Sequence, residues 1–295
     1  MSEHEFEHLK ITNGDLIHSA VATGSGPTVL FLHGFPDTYR SFDRQLEAVA
    51  AAGYRAVSVA MRGYEPSSQS AKGDYAQPTL ARDVASFVDA LGEDRVHLVG
   101  HDWGAAVAYT AAAFAPERFA SLTTMAVPHA GRFLADIRKY PKQLRLSWYM
   151  LFFQLPAIPE HTIRRRNFAF LRWLWRQWSP GWDFSDDDFA PLAEAFSHPG
   201  VVEAALAYYR AAVHLKALMV PDPNASIVDV PVPTLALTGA QEGCIAADVF
   251  EAMSEPGDFS GGLEVERIEN AGHFLHREQP EMVNARILEW LARHE

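Results

Sequence analysis

The stretch "RVHLVGHDWGAAVAYTAAAFA" at positions 95–115 joins an apolar run to an alanine-rich run through the five residues "GHDWG" at 100–104. The first run is typical of a buried strand and the second of a helix, so the stretch predicts a sharp strand-to-helix turn. Gly100 and Gly104 give this turn room, and Asp102 lies at its apex. The free amides and the dipole of the following helix favour a carboxylate there. Because an aspartate can also simply cap a helix, the turn alone leaves both interpretations open.

The composition limits the class of protein. The chain has 295 residues, 48% of them hydrophobic, and a formal net charge of −12. This length allows one large domain with an insertion, and the acidic balance argues against a nucleic-acid partner. The single cysteine excludes a disulfide within the chain, and no apolar run approaches the length of a membrane span. The charged start resembles no signal peptide, so we expect a cytoplasmic protein.

Short apolar runs alternate with helical patterns along most of the chain, which predicts an α/β fold with a mostly parallel sheet flanked by helices. Five runs look like strands buried on both faces, at 28–33, 55–60, 95–100, 121–127 and 233–239. The early segments 6–12 and 16–23 alternate more strongly, as an antiparallel edge pair would. Helices are predicted around 38–52, 79–91, 104–114 and 280–293.

This alternation stops after Pro128. Residues 129–229 are rich in aromatic side chains, follow helical spacing and contain no run typical of a buried strand. The sequence therefore predicts a helical cap (lid) domain at 129–229, inserted into a core domain made of residues 1–128 and 230–295. We expect most tryptophans and phenylalanines of the cap to pack against the core.

Two downstream motifs give Asp102 catalytic partners. Glu242, in "LTGAQEGCI", follows the end of a strand, and His273, in "NAGHFLHREQP", lies in a loop before the last helix. Nucleophile, acid and histidine then follow the chain order of α/β-hydrolases. His273 can serve as general base while Glu242 orients it. For Glu242, a solvated loop acid remains an alternative.

A third motif, "HGFPDT" at 33–38, directly follows a strand. The backbone N–H groups of Phe35 and Trp103 would form a two-donor oxyanion hole, and both residues would contact the substrate. His33 and His101 are expected to be structural. The bond before Pro36 is a candidate for a cis peptide.

An aspartate nucleophile indicates a particular chemistry. A carboxylate attacks an sp³ carbon and becomes an alkyl ester, which water then hydrolyses at the carboxyl carbon. This suits epoxides or alkyl halides, and a serine-type esterase is least favoured because no serine occupies the turn. A departing halide needs N–H donors, and Phe35 has no side-chain donor. An opening epoxide needs an acid, and the predicted cap holds four tyrosines: Tyr140, Tyr149, Tyr208 and Tyr209.

Five motifs together resemble the epoxide hydrolase family of α/β-hydrolases: "HGFPDT", "GHDWG", "NAGHF", "WYMLFFQLP" and "YYR". The resemblance covers roughly residues 8–293 and implies two cap tyrosines that bind and protonate the epoxide oxygen. These correspond to Tyr149 ahead of "FFQLP" and to Tyr209 before Arg210. The family more often has Asp at the position of Glu242, and no acid follows "SLTTMAV", where some relatives keep an alternative one.

Helical spacing supports Tyr209 without deciding the matter. Val202, Leu206, Tyr209 and Val213 would form one bulky face. Tyr208 lies about 100° away on a face that is also apolar, so the choice between the two tyrosines stays open.

The sequence therefore predicts an epoxide hydrolase, a hydrolase acting on ether bonds, which converts an apolar epoxide and water into a vicinal diol without cofactor or metal. Its expected catalytic residues are Asp102, His273, Glu242, Tyr149 and Tyr209. Haloalkane or haloacid dehalogenation on the same machinery is one alternative, and a catalytically silent binding protein is another. Cys244 is interpreted as packing. The substrate's identity and stereochemistry, the oligomeric state and the biological role stay open.

Overall fold

The computed structural model of the protein describes residues 6–212 and 228–295. Its centre is an eight-stranded sheet. The strands are β1 (Glu7–Asn13), β2 (Leu16–Gly24), β3 (Thr28–Leu32), β4 (Arg55–Val59), β5 (Val96–His101), β6 (Phe119–Met125), β7 (Thr234–Gly239) and β8 (Leu263–Ile268). They lie side by side in the order β1-β2-β4-β3-β5-β6-β7-β8. β2 pairs antiparallel with β1 and with β4, whereas β3 to β8 are all parallel to one another.

The predicted strands and the antiparallel edge pair are confirmed, and the reason is visible in β3. All five residues of β3 are buried. Val29 and Phe31 point to one face of the sheet, and Leu30 and Leu32 to the other. A strand covered on both faces has to be apolar throughout, which is why β3 could be recognised as a continuous apolar run in the sequence. β8 was not predicted, because this edge strand is half exposed and carries charged residues.

Helices cover both faces of the sheet. The helices outside the segment between β6 and β7 are α1 (Asp43–Ala51), α2 (Gln77–Ala90), α3 (Trp103–Phe114), α11 (Ala247–Ala252), α12 (Leu275–Glu278) and α13 (Pro280–Ala292). One face of the sheet packs against α1 and α13, and the other against α2 and α3. Among the helices that the structure describes, none combines the length and the apolar character needed to span a membrane.

Between β6 and β7 the described residues form helices joined by turns and loops, and none of them is in a strand. These helices are α4 (Ala130–Asp136), α5 (Pro141–Leu146), α6 (Trp148–Phe152), α7 (Ile158–Arg164), α8 (Ala169–Trp178), α9 (Asp186–Ser197) and α10 (Val201–Ala212). They lie over the ends of the strands: the Trp175 indole donates to the Pro36 carbonyl at 2.9 Å. Val213, part of the predicted tyrosine face, lies outside the described residues. The division into core and cap domains stays a prediction.

Candidate active site

The turn around Asp102 has the geometry that its glycines suggested. β5 ends at His101 and α3 begins at Trp103, so a single residue separates strand from helix. Asp102 has φ 52° and ψ −118°, a conformation that L-residues rarely adopt. A side chain at Gly104 would collide with the backbone of Leu32, because its Cβ would lie 2.6 Å from the Leu32 carbonyl carbon. This close approach of α3 to β3 brings the Asp102 carboxylate to the end of β3.

The loop after β3 supplies a donor to that carboxylate. The backbone N–H of Phe35 donates to Asp102 Oδ1 at 2.7 Å. Phe35 itself is fully buried, and its bond to Pro36 is cis, as the sequence suggested. Trp103 begins α3 beside the carboxylate and lines the same cavity as Asp102. One of the two predicted oxyanion donors therefore already bonds an oxygen of the nucleophile.

His273 lies between two carboxylates. Its Nε2 is 3.5 Å from Asp102 Oδ2, and its Nδ1 is 3.1 Å from both oxygens of Glu242. The backbone N–H of His273 donates to the Trp178 carbonyl at 3.0 Å, which fixes the loop against α8. The carboxylate of Glu242 is fixed in turn, because Oε1 accepts the Cys244 N–H at 2.7 Å. The three residues that the sequence assigned to a triad thus lie together.

The two carboxylates determine the charge of the imidazole. Burial alone would lower the pKa of His273, since it penalises the charged form. The negative charges of Glu242 and Asp102 outweigh this effect and raise the pKa of His273 to about 10. At neutral pH the ligand-free site therefore holds an imidazolium between the nucleophile and the acid.

Two other histidines near the turn behave differently. Burial lowers the pKa of His33 to about 4 and that of His101 to about 3, so both are neutral at pH 7. His33 Nε2 accepts the Met61 N–H at 3.1 Å, and His101 Nε2 donates to the His273 carbonyl at 2.9 Å. Both therefore hold neighbouring backbone in position, the structural role that the sequence analysis expected for them.

Tyr149 and Tyr209 face the nucleophile from the inserted helices. Together with Asp102 they line a cavity of about 580 Å³, and their ring centroids are 5.8 Å apart. Tyr208 does not line this cavity, because its hydroxyl donates to the Arg62 carbonyl at 2.7 Å. Burial raises the pKa of both Tyr149 and Tyr209 well above the ordinary value, so both hydroxyls keep their protons.

The cavity is apolar apart from a few groups. Its walls include alanines of α3 and the larger apolar side chains Phe133, Leu134, Met150 and Ile245. The Tyr149 hydroxyl lies 3.2 Å from Cys244 Sγ. The Tyr209 hydroxyl makes no hydrogen bond of ordinary geometry within residues 6–212 and 228–295. A polar ligand atom would therefore meet Tyr209 as an unused donor.

Gln143 of α5 makes a polar contact that was not predicted from the sequence. This fully buried amide donates to the Cys244 carbonyl at 2.8 Å and accepts the Ala246 N–H at 3.0 Å. It ties the inserted helices to the loop that carries Glu242. No signal in the sequence identifies it, since a glutamine in a short amphipathic helix is ordinarily exposed.

Among the described residues, two buried groups contain potential metal ligands within 4.8 Å of one another: Glu242 with Cys244 and His273, and Asp37 with His101 and His276. In the first group the ligand atoms already bond within the site, because Glu242 binds His273 and Cys244 contacts Tyr149. In the second, His101 uses one ring nitrogen on the His273 carbonyl. The sequence prediction of a site without metal stays a prediction.

Comparison with known proteins places this geometry in a family. A family model for the alpha/beta hydrolase fold matches residues 27–280. The chain is 30% identical to the AB hydrolase superfamily protein YfhM of Bacillus subtilis, over 95% of this chain and 96% of that protein. It is 31% identical to epoxide hydrolase 1 of Caenorhabditis elegans, over 93% of this chain and 68% of that protein.

Solved structures agree with the sequence comparisons. An epoxide hydrolase from an endophytic Streptomyces superimposes with a TM-score of 0.82 at 27% identity, covering 97% of this chain and 95% of that one. An epoxide hydrolase from Vigna radiata superimposes with a TM-score of 0.82 at 25% identity, covering 99% and 100% of the two chains. The predicted fold class is thereby confirmed. The chain belongs to the epoxide hydrolase family of the α/β-hydrolase fold.

Proposed function

We propose that this protein hydrolyses epoxides to vicinal diols through a covalent ester on Asp102. The observation that carries the proposal is that a buried carboxylate and two protonated tyrosine hydroxyls face one apolar cavity. A carboxylate suits attack on carbon, and a pair of phenols suits an oxygen that leaves as an alkoxide. The names of several relatives, which call them epoxide hydrolases, support the same chemistry.

The two oxygens of Asp102 have different tasks in this mechanism. Oδ1 is held by the Phe35 N–H, so Oδ2 is the freer oxygen and attacks a ring carbon. The carbon–oxygen bond of the epoxide breaks, and its electron pair moves to the ring oxygen. That oxygen accepts hydrogen bonds from Tyr149 and Tyr209 and takes a proton from one of them. The product of this step is a hydroxyalkyl ester of Asp102.

Ester formation also prepares His273 for its role as a base. In the ligand-free site the charge of Asp102 helps to keep the imidazole protonated. The ester is neutral, so this contribution disappears and the pKa of His273 falls. His273 can then lose its proton, through water in the cavity, to the tyrosine that gave one to the substrate. The imidazole becomes neutral when the ester is ready for hydrolysis.

The second step regenerates the enzyme. His273 Nε2 takes a proton from a water molecule, and the resulting hydroxide attacks the carboxyl carbon of Asp102. Negative charge develops on Oδ1. The backbone N–H of Phe35 already binds this oxygen, and the backbone N–H of Trp103 would bind it as the second predicted donor. Collapse of this intermediate breaks the bond between the carboxyl carbon and the alkyl oxygen, and the departing oxygen takes the proton of the added hydroxyl group, which releases the diol. The site returns to an Asp102 carboxylate and a His273 imidazolium beside Glu242, and all protons balance.

The cavity limits the substrate to a class. A volume of about 580 Å³ with a mostly apolar lining favours an apolar epoxide of the size of a small organic molecule. Asp102 and the tyrosines then lie along one part of the wall, where an epoxide ring would bind.

Trapping the ester tests the proposed function. His273→Gln should form the ester without releasing it, so the protein incubated with pooled epoxides should gain the mass of a whole epoxide. The gain should map to the peptide that contains Asp102 and should be absent from an Asp102→Ala, His273→Gln control. A gain of only an alkyl group from pooled alkyl halides would instead identify a dehalogenase. No gain from either pool would contradict both reactions and favour a protein that only binds ligands.

A further inference from the structure

The two active-site tyrosines differ in the polar group that lies beside each hydroxyl. Cys244 is 1% exposed and lines the cavity, and its Sγ is 3.2 Å from the Tyr149 hydroxyl. The Tyr209 hydroxyl, in a residue 2% exposed, makes no hydrogen bond of ordinary geometry in the described part of the chain, although the Trp103 side chain lies close enough to interact with it. If both phenols bind the epoxide oxygen, only Tyr149 has a thiol at hydrogen-bonding distance behind it.

Three hydrogen bonds hold the Cys244 loop in place. The Cys244 N–H donates to Glu242 Oε1 at 2.7 Å, and its carbonyl accepts from Gln143 Nε2 at 2.8 Å. The side-chain oxygen Oε1 of Gln143 accepts the Ala246 N–H at 3.0 Å. These buried bonds fix the backbone of Cys244, so the thiol could move away from Tyr149 only by rotation about its own Cα–Cβ bond. The contact is therefore part of a built site.

We propose that Cys244 is a positioning residue for ring opening, which donates its S–H to the Tyr149 oxygen and so makes Tyr149, rather than Tyr209, the tyrosine that releases its proton. This inference rests on the proposed function. In the resting site the S–H leaves the Tyr149 O–H free to point into the cavity. When the epoxide carbon–oxygen bond breaks, the ring oxygen takes the Tyr149 proton, and the S–H bond to the new phenolate strengthens. The thiol keeps its own proton throughout.

A thiol suits this position for two reasons. A buried phenolate without a donor is costly, and Tyr149 lies where water is largely excluded. Burial raises the pKa of the Cys244 thiol well above its ordinary value, and the nearby carboxylates of Glu242 and Asp102 act in the same direction. The sulfur therefore stays protonated and does not become the thiolate that an electrophilic substrate would alkylate.

Single-turnover kinetics test the role, because rapid quenching and intact-protein mass give the rates of ester formation and of ester hydrolysis separately. Cys244→Ala should slow ester formation about tenfold, the loss of one hydrogen bond to a charged group, and change hydrolysis less than twofold. Cys244→Ser keeps a donor and should restore ester formation. Met253→Leu, at a buried residue that does not line the cavity, is the matched control. Unchanged ester formation in Cys244→Ala, or equal slowing of both steps, would overturn the proposal.

A second measurement does not depend on turnover. The chain has one cysteine, so the infrared S–H stretching region contains one band. Tyr149→Phe should move this band to higher frequency because the S–H loses its acceptor, whereas Tyr209→Phe should not. A band that ignores Tyr149→Phe refutes the hydrogen bond, and the proposal with it. Failure of the proposed function has another signature: no ester forms in any variant although the band shifts, and the role in ring opening then falls as well.

Discussion

The charge of His273 should depend directly on the charge of Asp102, and Asp102→Asn isolates this dependence. Asparagine has nearly the shape of aspartate and keeps a carbonyl oxygen that can accept the Phe35 N–H. It removes only the negative charge that lies 3.5 Å from His273 Nε2. The substitution therefore imitates the electrostatic effect of ester formation without any substrate.

The expected size of the effect follows from Coulomb's law. Two unit charges 3.5 Å apart interact by about 5 kcal/mol at an effective dielectric constant of about 20, which corresponds to roughly 3.5 pK units. From a starting value of about 10, the pKa of His273 should fall to about 6.5 in Asp102→Asn. Glu242 remains at 3.1 Å and keeps the pKa from falling further.

Nuclear magnetic resonance of ¹⁵N-labelled histidine gives the required titration curve. The chain has 13 histidines, so the His273 signals are assigned as those missing from His273→Gln. Asp43→Asn, which removes a carboxylate paired with Arg40 away from the site, is the control and should leave the titration unchanged. If the pKa of His273 in Asp102→Asn stays within half a unit of the parent value, the carboxylate does not hold the proton on the imidazole. The mechanism of base activation would then be wrong.

Two further predictions concern stability. Burial lowers the pKa of His33 to about 4 and of His101 to about 3, so the unfolded chain, with a histidine pKa of 6.5, binds protons first as the pH falls. Lowering the pH from 7 to 5 should therefore reduce the free energy of unfolding by about 2 kcal/mol for each histidine, as measured by urea denaturation. Asp37, whose pKa burial raises to about 6, opposes this by about 1 kcal/mol. Gly104→Ala should lower the melting temperature and the activity, because its Cβ would force α3 away from the Leu32 carbonyl.

Both stability predictions can be contradicted by a specific measurement. Unfolding free energies that are equal at pH 5 and pH 7 would mean that the buried histidines carry protons in the folded state. For the glycine, Gly257→Ala is the matched control, since a Cβ there meets nothing within 4 Å. Equal melting temperatures for the two glycine variants would contradict the close approach of α3 to β3.

The strands that could be predicted from the sequence are those in which every residue is buried and the side chains are therefore mostly apolar. β3 and β5 are buried along their whole length, so every residue in them has to fit an apolar surrounding. β8 is half-buried or exposed at every position before the buried Ile268, and its sequence "LEVERI" contains three charged residues. An edge strand of this kind resembles a loop or an exposed helix when only the residue types are considered.

The candidate site divides in a similar way. Asp102 and His273 were readable because each lies in a short motif beside a strand or helix end. The sequence could not decide whether Tyr208 or Tyr209 faces the site, because both lie on apolar faces of α10. The folded chain decides it, since the Tyr208 hydroxyl donates to the distant Arg62 carbonyl. Cys244 was interpreted as packing, and its contact with Tyr149 joins residues 95 positions apart. Contacts of this kind depend on the folded chain and leave no local pattern.

The left-handed backbone of Asp102 has a consequence for attempts to make this protein more robust. A non-glycine residue with φ 52° and ψ −118° is strained by about 1–3 kcal/mol, and glycine would relieve that strain. A library selected for heat resistance alone would therefore enrich Asp102→Gly, and the survivors would be well-folded but inert. Laboratory evolution of this protein therefore needs a test of turnover in every round of screening, because its proposed nucleophile is also a residue with a strained backbone.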